Sequence, residues 1–395
     1  MQTLYKRDSK GKVRQWKVSV VLRDHTFGIE TTDGLVGGKL KEPVFKEAVA
    51  NKLYKDPEIK AQAMMLAACQ KKLRSNYFPS IDEISDEDIL FMPTGCPSGM
   101  IWEEWKDKKH VVYPAWASPK LDGSKMYSTW RDGRVFLNTR SAKEHKNFLH
   151  IEQALRGFYA KHPNIVLDGE AYNHDYRDRF EELQSVFRKE NPTDEERAIS
   201  AGIAQFYIYD IVDLDRPHLS ASDRQQLLAE LYTDEGLYHI SCLKHWRSHL
   251  QETEESYDRY HENCMSKGYE GSILKIANAP YKQSKNKNVM KRKPKFDCEF
   301  TITDVLEGSG TTAGMAGAIE INLTTACGMN EDHYDLLSKT SLQLAGIGAG
   351  WNHKLLTELL ESRDTIIGSK VTVEYGGITA YGRLRFPKIK SVRTD

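Results

Sequence analysis

The chain has 395 residues, a hydrophobic fraction of 39% and a formal net charge of zero at pH 7. The length predicts two or three domains, and the composition is typical of a soluble globular protein. No stretch approaches membrane-spanning length, and the basic start lacks the apolar core of a signal peptide, so we expect an intracellular, cytoplasmic protein, in the host cytoplasm if the source is viral. The six cysteines form no Cys-x-x-Cys pair, which favours free thiols and argues against structural zinc.

The first 79 residues are predicted to form a small β/α module. Up to about residue 42 the pattern is a β-meander, because Trp16, Val18 and Val20 alternate with polar residues. Two helices should follow, one beginning at Pro57 and an earlier one with apolar residues at helical spacing: Phe45, Ala48, Val49 and Leu53. Basic residues near the first strand suggest either a DNA-binding surface or solvated lysines that protect a sheet edge.

Residues 80–110 are predicted to be a linker, because an acidic run is followed by prolines and glycines. Residues 111–295 should form a mixed domain with mostly antiparallel sheets. Its predicted helices span about 147–162, begin at a capping box of Ser222 and Gln225, and span about 254–266. Residues 296–395, with short strands, glycine-rich turns and one helix near 352–363, fit an OB-fold barrel. The predicted fold class is therefore α+β and multidomain.

One lysine stands directly before an Asp-Gly turn, in Lys120-Leu121-Asp122-Gly123. A lysine amine that attacks phosphorus must be neutral, so a nucleophilic role requires surroundings that lower its pKa. Taken alone, the motif also fits a surface turn after a strand. We interpret Lys120 as a candidate nucleophile because five further segments and a closing motif follow it in order.

Together these segments resemble the covalent nucleotidyltransferases, and most closely the compact, viral type of ATP-dependent DNA ligase. The resemblance covers about residues 111–395. The segments contain, in chain order, Arg140, Glu170, Tyr209, Glu270 with Lys275, Lys291 with Lys293, and a closing motif at 384–387 and 393–395. Each piece alone also fits a structural role, such as a hairpin turn at Asp168-Gly169-Glu170 or a core aromatic at Tyr209. Their shared order favours the functional interpretation.

The resemblance implies a role for each matched position. Lys120 would carry AMP, with Asp122, Lys291 and Lys293 completing the catalytic set. Tyr209 would stack on adenine, and Glu170 and Glu270 would hold a metal. The implied nucleotide-binding residues are Ser118, Lys120, Lys125, Arg140, Glu170, Tyr209, Lys275, Lys291 and Lys293. The basic stretch 281–296 is interpreted as a phosphate-lined hinge, and the implied DNA-binding residues are Arg140, Lys285, Lys287, Arg383, Arg385 and Lys388.

The chemistry of these residue types agrees with the resemblance. Displacement of pyrophosphate builds negative charge, which fixed cations and Mg²⁺, or Mn²⁺ in its place, can stabilise. We expect the cations also to hold Lys120 neutral. The sequence departs from the family at Lys125, usually arginine, and at Ser118, where many ligases use glutamate to recognise adenine. A basic residue that usually follows the closing Asp is replaced in our interpretation by Lys388 or Lys390.

The sequence therefore predicts a monomeric ATP-dependent DNA ligase that seals 5′-phosphate/3′-hydroxyl nicks, as in DNA replication, repair or recombination. An RNA ligase is the nearest alternative, followed by a GTP-using capping enzyme. A non-catalytic DNA-binding scaffold is the alternative from another class. NAD⁺ is not expected as the donor, because the NAD-dependent ligases carry a cysteine zinc module that this sequence lacks.

Overall fold

The computed structural model describes residues 1–8, 11–50, 54–73, 77–84, 93, 102–107, 109–308, 312–338, 341–348 and 350–393. Among them are an N-terminal sheet with a helix, a central region with two sheets, and a C-terminal barrel. None of the helices in these ranges combines the length and apolar character needed to cross a membrane.

The N-terminal sheet is antiparallel and follows chain order, with strands β1 (Gln2–Arg7), β2 (Val13–Arg23), β3 (Thr26–Leu35) and β4 (Val44–Glu47). Helix α1 (Pro57–Leu73) packs on one face, over a core that includes Leu4, Trp16, Val18 and Ile29. The helix predicted around Phe45 is wrong for residues 44–47, which form an edge strand paired with β3. Pairing with β3 prevails over helical spacing there. Leu53 lies outside the described residues.

The predicted linker ends in ordered structure. Helix α2 (Trp102–Asp107) buries Trp102 and Trp105 against Tyr257, Leu274 and Met290 of the central region. Burial of two indoles contributes several kcal/mol of hydrophobic stabilisation, so this segment is part of the central domain rather than a spacer. Most of the acidic and glycine-rich part of the interval, residues 85–92 and 94–101, lies outside the described residues.

The central region contains two sheets that are antiparallel except for one pair. The strands are β5 (Ala115–Lys120), β6 (Ser124–Arg131), β7 (Arg134–Asn138), β8 (Ile165–Tyr172), β9 (Gln205–Asp213), β10 (Leu243–His245), β11 (His249–Gln251), β12 (Gly271–Ile276) and β13 (Val289–Arg292). One sheet has the order β10-β9-β8-β6-β7, and the other has the order β11-β5-β12-β13. The parallel pair is β10 with β9.

Five helices surround these sheets: α3 (Leu149–Lys161), α4 (Phe180–Phe187), α5 (Asp194–Ile203), α6 (Ala221–Asp234) and α7 (Glu254–Ser266). The sequence analysis missed α4 and α5. It also misplaced the start of α6, because the capping box uses Ser220 and Asp223 rather than Ser222 and Gln225. The Ser222 hydroxyl instead accepts a hydrogen bond from Trp116 Nε1 (3.0 Å) and donates to the carbonyl of Ala277.

The basic stretch 281–296 is not one hinge. Residues 277–288 form the connection between β12 and β13, within the central sheet, and only residues 293–295 join this sheet to the barrel. The prediction of a hinge over Lys285 to Lys295 was therefore wrong for its first half. Sequence composition showed the cluster of lysines but not the strand that divides it.

The C-terminal strands close into a five-stranded, OB-like barrel in the order β14-β15-β16-β18-β17. They are β14 (Phe296–Glu307), β15 (Ala316–Cys327), β16 (Leu342–Ile347), β17 (Lys370–Tyr375) and β18 (Lys388–Val392). Helices α8 (Glu331–Leu336), α9 (His353–Glu361) and α10 (Arg363–Ile366) lie between strands. Closure removes the sheet edges, and the interior is filled by apolar side chains such as Phe300, Ile319 and Val371.

Candidate active site

The register of the four-stranded sheet brings the candidate residues onto one face. Lys120 pairs with Gly271 and Ser118 with Ile273 across β5 and β12, and Lys291 pairs with Ile273 across β12 and β13. Residues directly opposite in a ladder point to the same side of a sheet. The nucleophile motif, the Glu270-Gly271 motif and the Lys291 motif therefore form one surface although they are far apart in sequence.

Two glycines permit the close backbone approaches behind this surface. A Cβ at Gly123 would lie 2.3 Å from the Ala171 carbonyl oxygen, and one at Gly271 would lie 2.1 Å from the Arg292 carbonyl oxygen. Neither position accommodates a side chain without displacing a strand. The glycines of Lys-x-Asp-Gly and Glu-Gly thus allow the strands to bring Lys120 and Glu270 together.

A cavity of about 240 Å³ lies over this face. Every residue predicted to bind the nucleotide lines it, together with Glu270: Ser118, Lys120, Lys125, Arg140, Glu170, Tyr209, Lys275, Lys291 and Lys293. Ile273 and Val289, which the sequence analysis missed, supply apolar walls. A larger cavity of about 550 Å³ shares Lys120, Glu170 and Glu270 and extends to the barrel.

Lys120 is surrounded by carboxylates. Its ammonium donates to the Glu270 carboxylate, and Lys293 approaches the other Glu270 oxygen at 3.4 Å. Burial lowers the pKa of Lys120, but Glu270, Glu170 and Asp122 more than offset this, so its pKa lies above the ordinary value. The expectation that cations hold Lys120 neutral is therefore wrong for this state of the protein.

Lys125 and Tyr209 belong to a buried polar network. The Lys125 ammonium pairs with Asp168, which is fully buried, and donates to the Tyr209 hydroxyl at 2.6 Å. Tyr281 donates to the second oxygen of Asp168 at 2.7 Å. The network fixes the Tyr209 ring at the cavity wall, so Lys125 here has a structural partner in addition to its place in the lining.

Lys275 is also bound to a carboxylate. Its ammonium lies 2.9 Å from Asp210, which additionally accepts two hydrogen bonds from Arg224. Asp210 is fully buried, and although burial raises its pKa, Arg224 and Lys275 hold that pKa well below the usual range. Asp210, Arg224, Asp168 and Tyr281 were all missed. Only the two aspartates, adjacent to Gly169-Glu170 and Tyr209, offered a sequence signal.

Trp246 is a further missed residue. Its indole N–H donates to the Pro119 carbonyl at 3.1 Å, directly before Lys120, and its ring packs edge-on against Tyr269, directly before Glu270. Trp246 therefore contacts both segments that carry the central ion pair. Its loop position after β10 gave no pattern from which this could be predicted.

Glu170 faces the same cavity as Glu270. Burial raises the pKa of Glu170 to about 7, partly opposed by Lys125, Lys120 and Arg140. Within the described part of the chain, no cluster of three or more His, Cys, Asp or Glu side chains could hold a metal. Two carboxylates nevertheless fit Mg²⁺, which commonly takes one or two from the protein and its remaining ligands from phosphates and water.

The barrel touches the nucleophile motif. Arg385 forms an ion pair with Asp122, and Phe386 lies under Lys293, whose ammonium is 5.4 Å from the ring centroid. Lys388 lines the larger cavity, whereas Lys390 is paired with Asp297 at 2.7 Å. Arg383 donates to the Leu342 carbonyl on the barrel and lines neither cavity. Of the closing motif, Thr394 and Asp395 lie outside the described residues.

Lys285 and Lys287 lie away from Lys120. The β12–β13 connection leaves the sheet beside Ala115, five residues along β5 from Lys120, a separation of about 16 Å. Lys287 contacts His110 there at 3.0 Å. The structure thus brings together the predicted nucleotide and catalytic residues, but not these two predicted DNA-binding lysines.

Comparison with known proteins identifies the central region. Residues 107–293 match the family model described as the ATP dependent DNA ligase domain. The match contains all six motifs from Lys120 to Lys293. The resemblance inferred from the six motifs is thereby confirmed.

Curated DNA ligases are similar to parts of the chain. The DNA ligase of African swine fever virus (isolate Pig/Kenya/KEN-50/1950) is 27% identical over 183 residues, covering 45% of this chain and 41% of the viral protein. The DNA ligase of Nanoarchaeum equitans is 23% identical over 317 residues, covering 72% of this chain and 53% of the relative. The matches thus span about two fifths to one half of the relatives' own length.

Solved structures support the fold. One named Pmar-Lig_PreS3 superposes with a TM-score of 0.61 at 19% identity, covering 86% of this chain and 74% of the other. A structure from a study of Lig E DNA ligases superposes with a TM-score of 0.55 at 20% identity, covering 77% of this chain and 100% of the other. Both cover more of this chain than the family model, so the ligase-like architecture extends beyond residues 107–293.

Proposed function

We propose that this protein is an ATP-dependent DNA ligase that seals nicks between a 5′-phosphate and a 3′-hydroxyl through a Lys120-AMP intermediate. The observation that carries this proposal is the position of Lys120, within a ligase-family domain, in one cavity with Tyr209, Glu170 and Glu270. An aromatic ring, apolar walls and converging cations are what a purine nucleotide requires.

The proposed reaction has three steps. The neutral Lys120 amine attacks the α-phosphorus of ATP, a P–N bond forms, and the bond to pyrophosphate breaks. The 5′-phosphate of the nick then displaces the lysine, forming a pyrophosphate linkage with AMP. Finally the 3′-hydroxyl attacks that 5′-phosphate, and AMP leaves. Glu270 is placed to accept a proton from the Lys120 ammonium before the first attack.

The residues of the cavity would have separate roles in binding the nucleotide and in the reaction. Tyr209, Ile273 and Val289 would hold the purine, and Lys291 and Lys293 would neutralise the α-phosphate as charge develops on its oxygens. Ser118, buried beside Ile273, would lie along the purine. Lys125 and Lys275 would act mainly by holding the Tyr209 segment, since each pairs with a buried aspartate.

A divalent metal, which we propose is Mg²⁺, would be held by Glu170 and Glu270. When bound it supplies positive charge that stabilises the phosphoryl oxygens. Because a metal ligand must be deprotonated, binding would bring the pKa of Glu170 below its raised value of about 7.

The test is transfer of label from α-labelled ATP to the protein with Mg²⁺, followed by sealing of a nicked duplex. We expect covalent label that is released on adding nicked DNA, together with a sealed product. Nicks with a deoxy or a ribo 3′-side strand separate DNA from RNA sealing. Absence of covalent label would refute the enzyme proposal and favour a DNA-binding scaffold.

Glu270 provides a prediction about pH. Because Glu270 is the main group that raises the pKa of Lys120, Glu270→Gln should lower that pKa. A raised lysine pKa keeps the amine protonated below it, so wild-type adenylation at limiting ATP should increase with pH through the alkaline range. The Glu270→Gln variant should be adenylated more slowly at every pH, and its adenylation rate should begin to increase at a lower pH than that of the wild type. The control is Glu374→Gln, which changes a carboxylate of the larger cavity that is paired with Lys295 and should leave the pH profile of adenylation unchanged. If the pH profile of Glu270→Gln coincided with that of the wild type, Glu270 would not be the group that raises the pKa of Lys120.

We propose that the N-terminal module adds affinity for duplex DNA. Its basic residues include Lys6 and Lys72, whose ammonium groups both lie within 5.6 Å of the Tyr77 ring centroid. Phosphate contacts weaken as salt increases. A protein lacking residues 1–79 should bind nicked duplex more weakly at low salt, with a shallower salt dependence. Equal binding by both forms in a mobility-shift titration would refute this.

A further inference from the structure

Trp246 lies where the chain crosses from one central sheet to the other. Strand β10 belongs to the five-stranded sheet and β11 to the four-stranded sheet, and residues 246–248 join them. The Trp246 backbone N–H donates to the Ile208 carbonyl of β9 at 2.7 Å, next to the pairing of β10 with β9. Its indole N–H donates to the Pro119 carbonyl of β5 at 3.1 Å. One residue is therefore hydrogen-bonded to both sheets.

Three of the residues that Trp246 contacts directly precede residues of the candidate active site. The three pairs are Pro119 with Lys120, Ile208 with Tyr209, and Tyr269 with Glu270. Lys120 lies on β5 of the four-stranded sheet, whereas Tyr209 lies on β9 of the five-stranded sheet. The placement of Trp246 therefore affects how the nucleophile is oriented relative to the aromatic wall of the cavity.

The indole belongs to a closed ring of aromatic side chains, in which each member contacts the next. The members are, in order around the ring, Trp246, Tyr269, His174, Tyr172 and Tyr207. The distances between neighbouring centroids range from 4.5 to 6.0 Å, which are favourable separations for such pairs. The ring restrains the Trp246 side chain and so keeps its indole N–H directed at the Pro119 carbonyl.

We propose that Trp246 is a positioning residue for adenylation, which orients the Lys120 amine toward the α-phosphate of ATP. This rests on the proposed function, in which the amine on β5 attacks a nucleotide held against Tyr209 on β9. A nucleophile must lie about 3 to 3.5 Å from the reacting atom, and a displacement of about 1 Å costs about a hundredfold in rate. Trp246 is not among the described residues that line either cavity. It acts through the Pro119 carbonyl, which belongs to the peptide group that joins Pro119 to Lys120.

Trp246→Phe tests this role, because it removes the indole N–H and keeps an aromatic ring. We expect single-turnover adenylation at saturating α-labelled ATP to become about tenfold slower, since the peptide before Lys120 loses its donor. The affinity for a non-hydrolysable ATP analogue should change by less than about twofold, because the cavity lining is intact. Sealing of a pre-adenylated nick, which does not use the Lys120 amine, should keep the wild-type rate.

Two further variants separate the hydrogen bond from the bulk of the ring. Trp246→His keeps an N–H at the matching position of a five-membered ring and should recover part of the adenylation rate. Trp130→Phe is the matched control, since this indole stacks on Tyr159 at 6.2 Å between centroids and is not among the residues that line either cavity. It should change none of the three measurements.

The positioning role would be overturned by wild-type adenylation in Trp246→Phe. It would equally be overturned if adenylation and sealing of the pre-adenylated nick fell by the same factor, since that pattern indicates general damage to the domain. A loss of ATP-analogue affinity that matched the loss of rate would instead assign Trp246 to nucleotide binding. Failure of the proposed function gives a different result, because the wild-type protein itself would then acquire no label.

Discussion

Replacement of Lys120 with arginine is expected to reduce covalent labelling by α-labelled ATP to the background found without protein. The guanidinium keeps the positive charge opposite Glu270 but remains protonated at any working pH, so it cannot attack phosphorus. The first step of the proposed reaction depends on this one amine. The measurement is label retained on the protein after denaturation.

The same variant distinguishes loss of the nucleophile from loss of the fold. The last step, attack of the 3′-hydroxyl on a nick that already carries AMP, does not require the Lys120 amine. Lys120→Arg should therefore still seal a pre-adenylated nick. Lys287→Arg, on the exposed β12–β13 connection, is the matched control and should label normally. Covalent label from α-labelled ATP on the Lys120→Arg protein would contradict the assignment of Lys120 as the nucleophile.

The sequence predicted which residues would line one cavity, because their motifs lie on or beside strands that pair with one another in the central sheets. Lys120 ends β5, Glu170 lies within β8, and Glu270 precedes β12, so the motif order already contains most of the geometry. The ionisation of Lys120 was not predictable in the same way. Counting nearby cations in the sequence omitted the carboxylates that the sheet register places beside the amine.

Residues that act through tertiary contacts could not be predicted from the sequence. Arg224 meets Asp210 only because α6 packs on β9, and Trp246 meets Pro119 across 127 positions in the chain. Their spacing carries no periodic signal. The helices α4 and α5 were missed for a related reason, since each is at most ten residues long and shows few helical repeats.

Two predictions were wrong because they relied on the local sequence pattern alone. Phe45, Ala48 and Val49 have helical spacing, yet residues 44–47 pair with β3. The lysines of 281–296 form one run in sequence, but β13 divides them between the far end of the central sheet and the cavity beside Lys120. In both places long-range strand pairing determined the structure, and this pairing is not encoded in a short window.

Asp210→Ala should destabilise the central domain more than any other single change at the site, by about 3 to 5 kcal/mol. Asp210 is fully buried, and its removal leaves the Arg224 guanidinium and the Lys275 ammonium, both at most 6% exposed, without their shared counter-charge. The segment that carries Tyr209 would lose its anchor, so ATP affinity should fall as well. The denaturant midpoint of the central domain measures the loss.

The pH dependence of this loss has a defined sign. A carboxylate whose pKa is depressed on folding contributes stability that is fully present above its unfolded pKa, about 3.9, and declines as pH falls toward the folded value. The difference between wild type and Asp210→Ala should therefore be constant from neutral pH to about pH 5 and shrink only in stronger acid. Asp234→Ala, an exposed change at the end of the same helix that carries Arg224, should stay within about 0.5 kcal/mol of wild type. A similarly small effect of Asp210→Ala would mean that Arg224 and Lys275 find other partners, and the ion-pair triad would then not be what positions Tyr209.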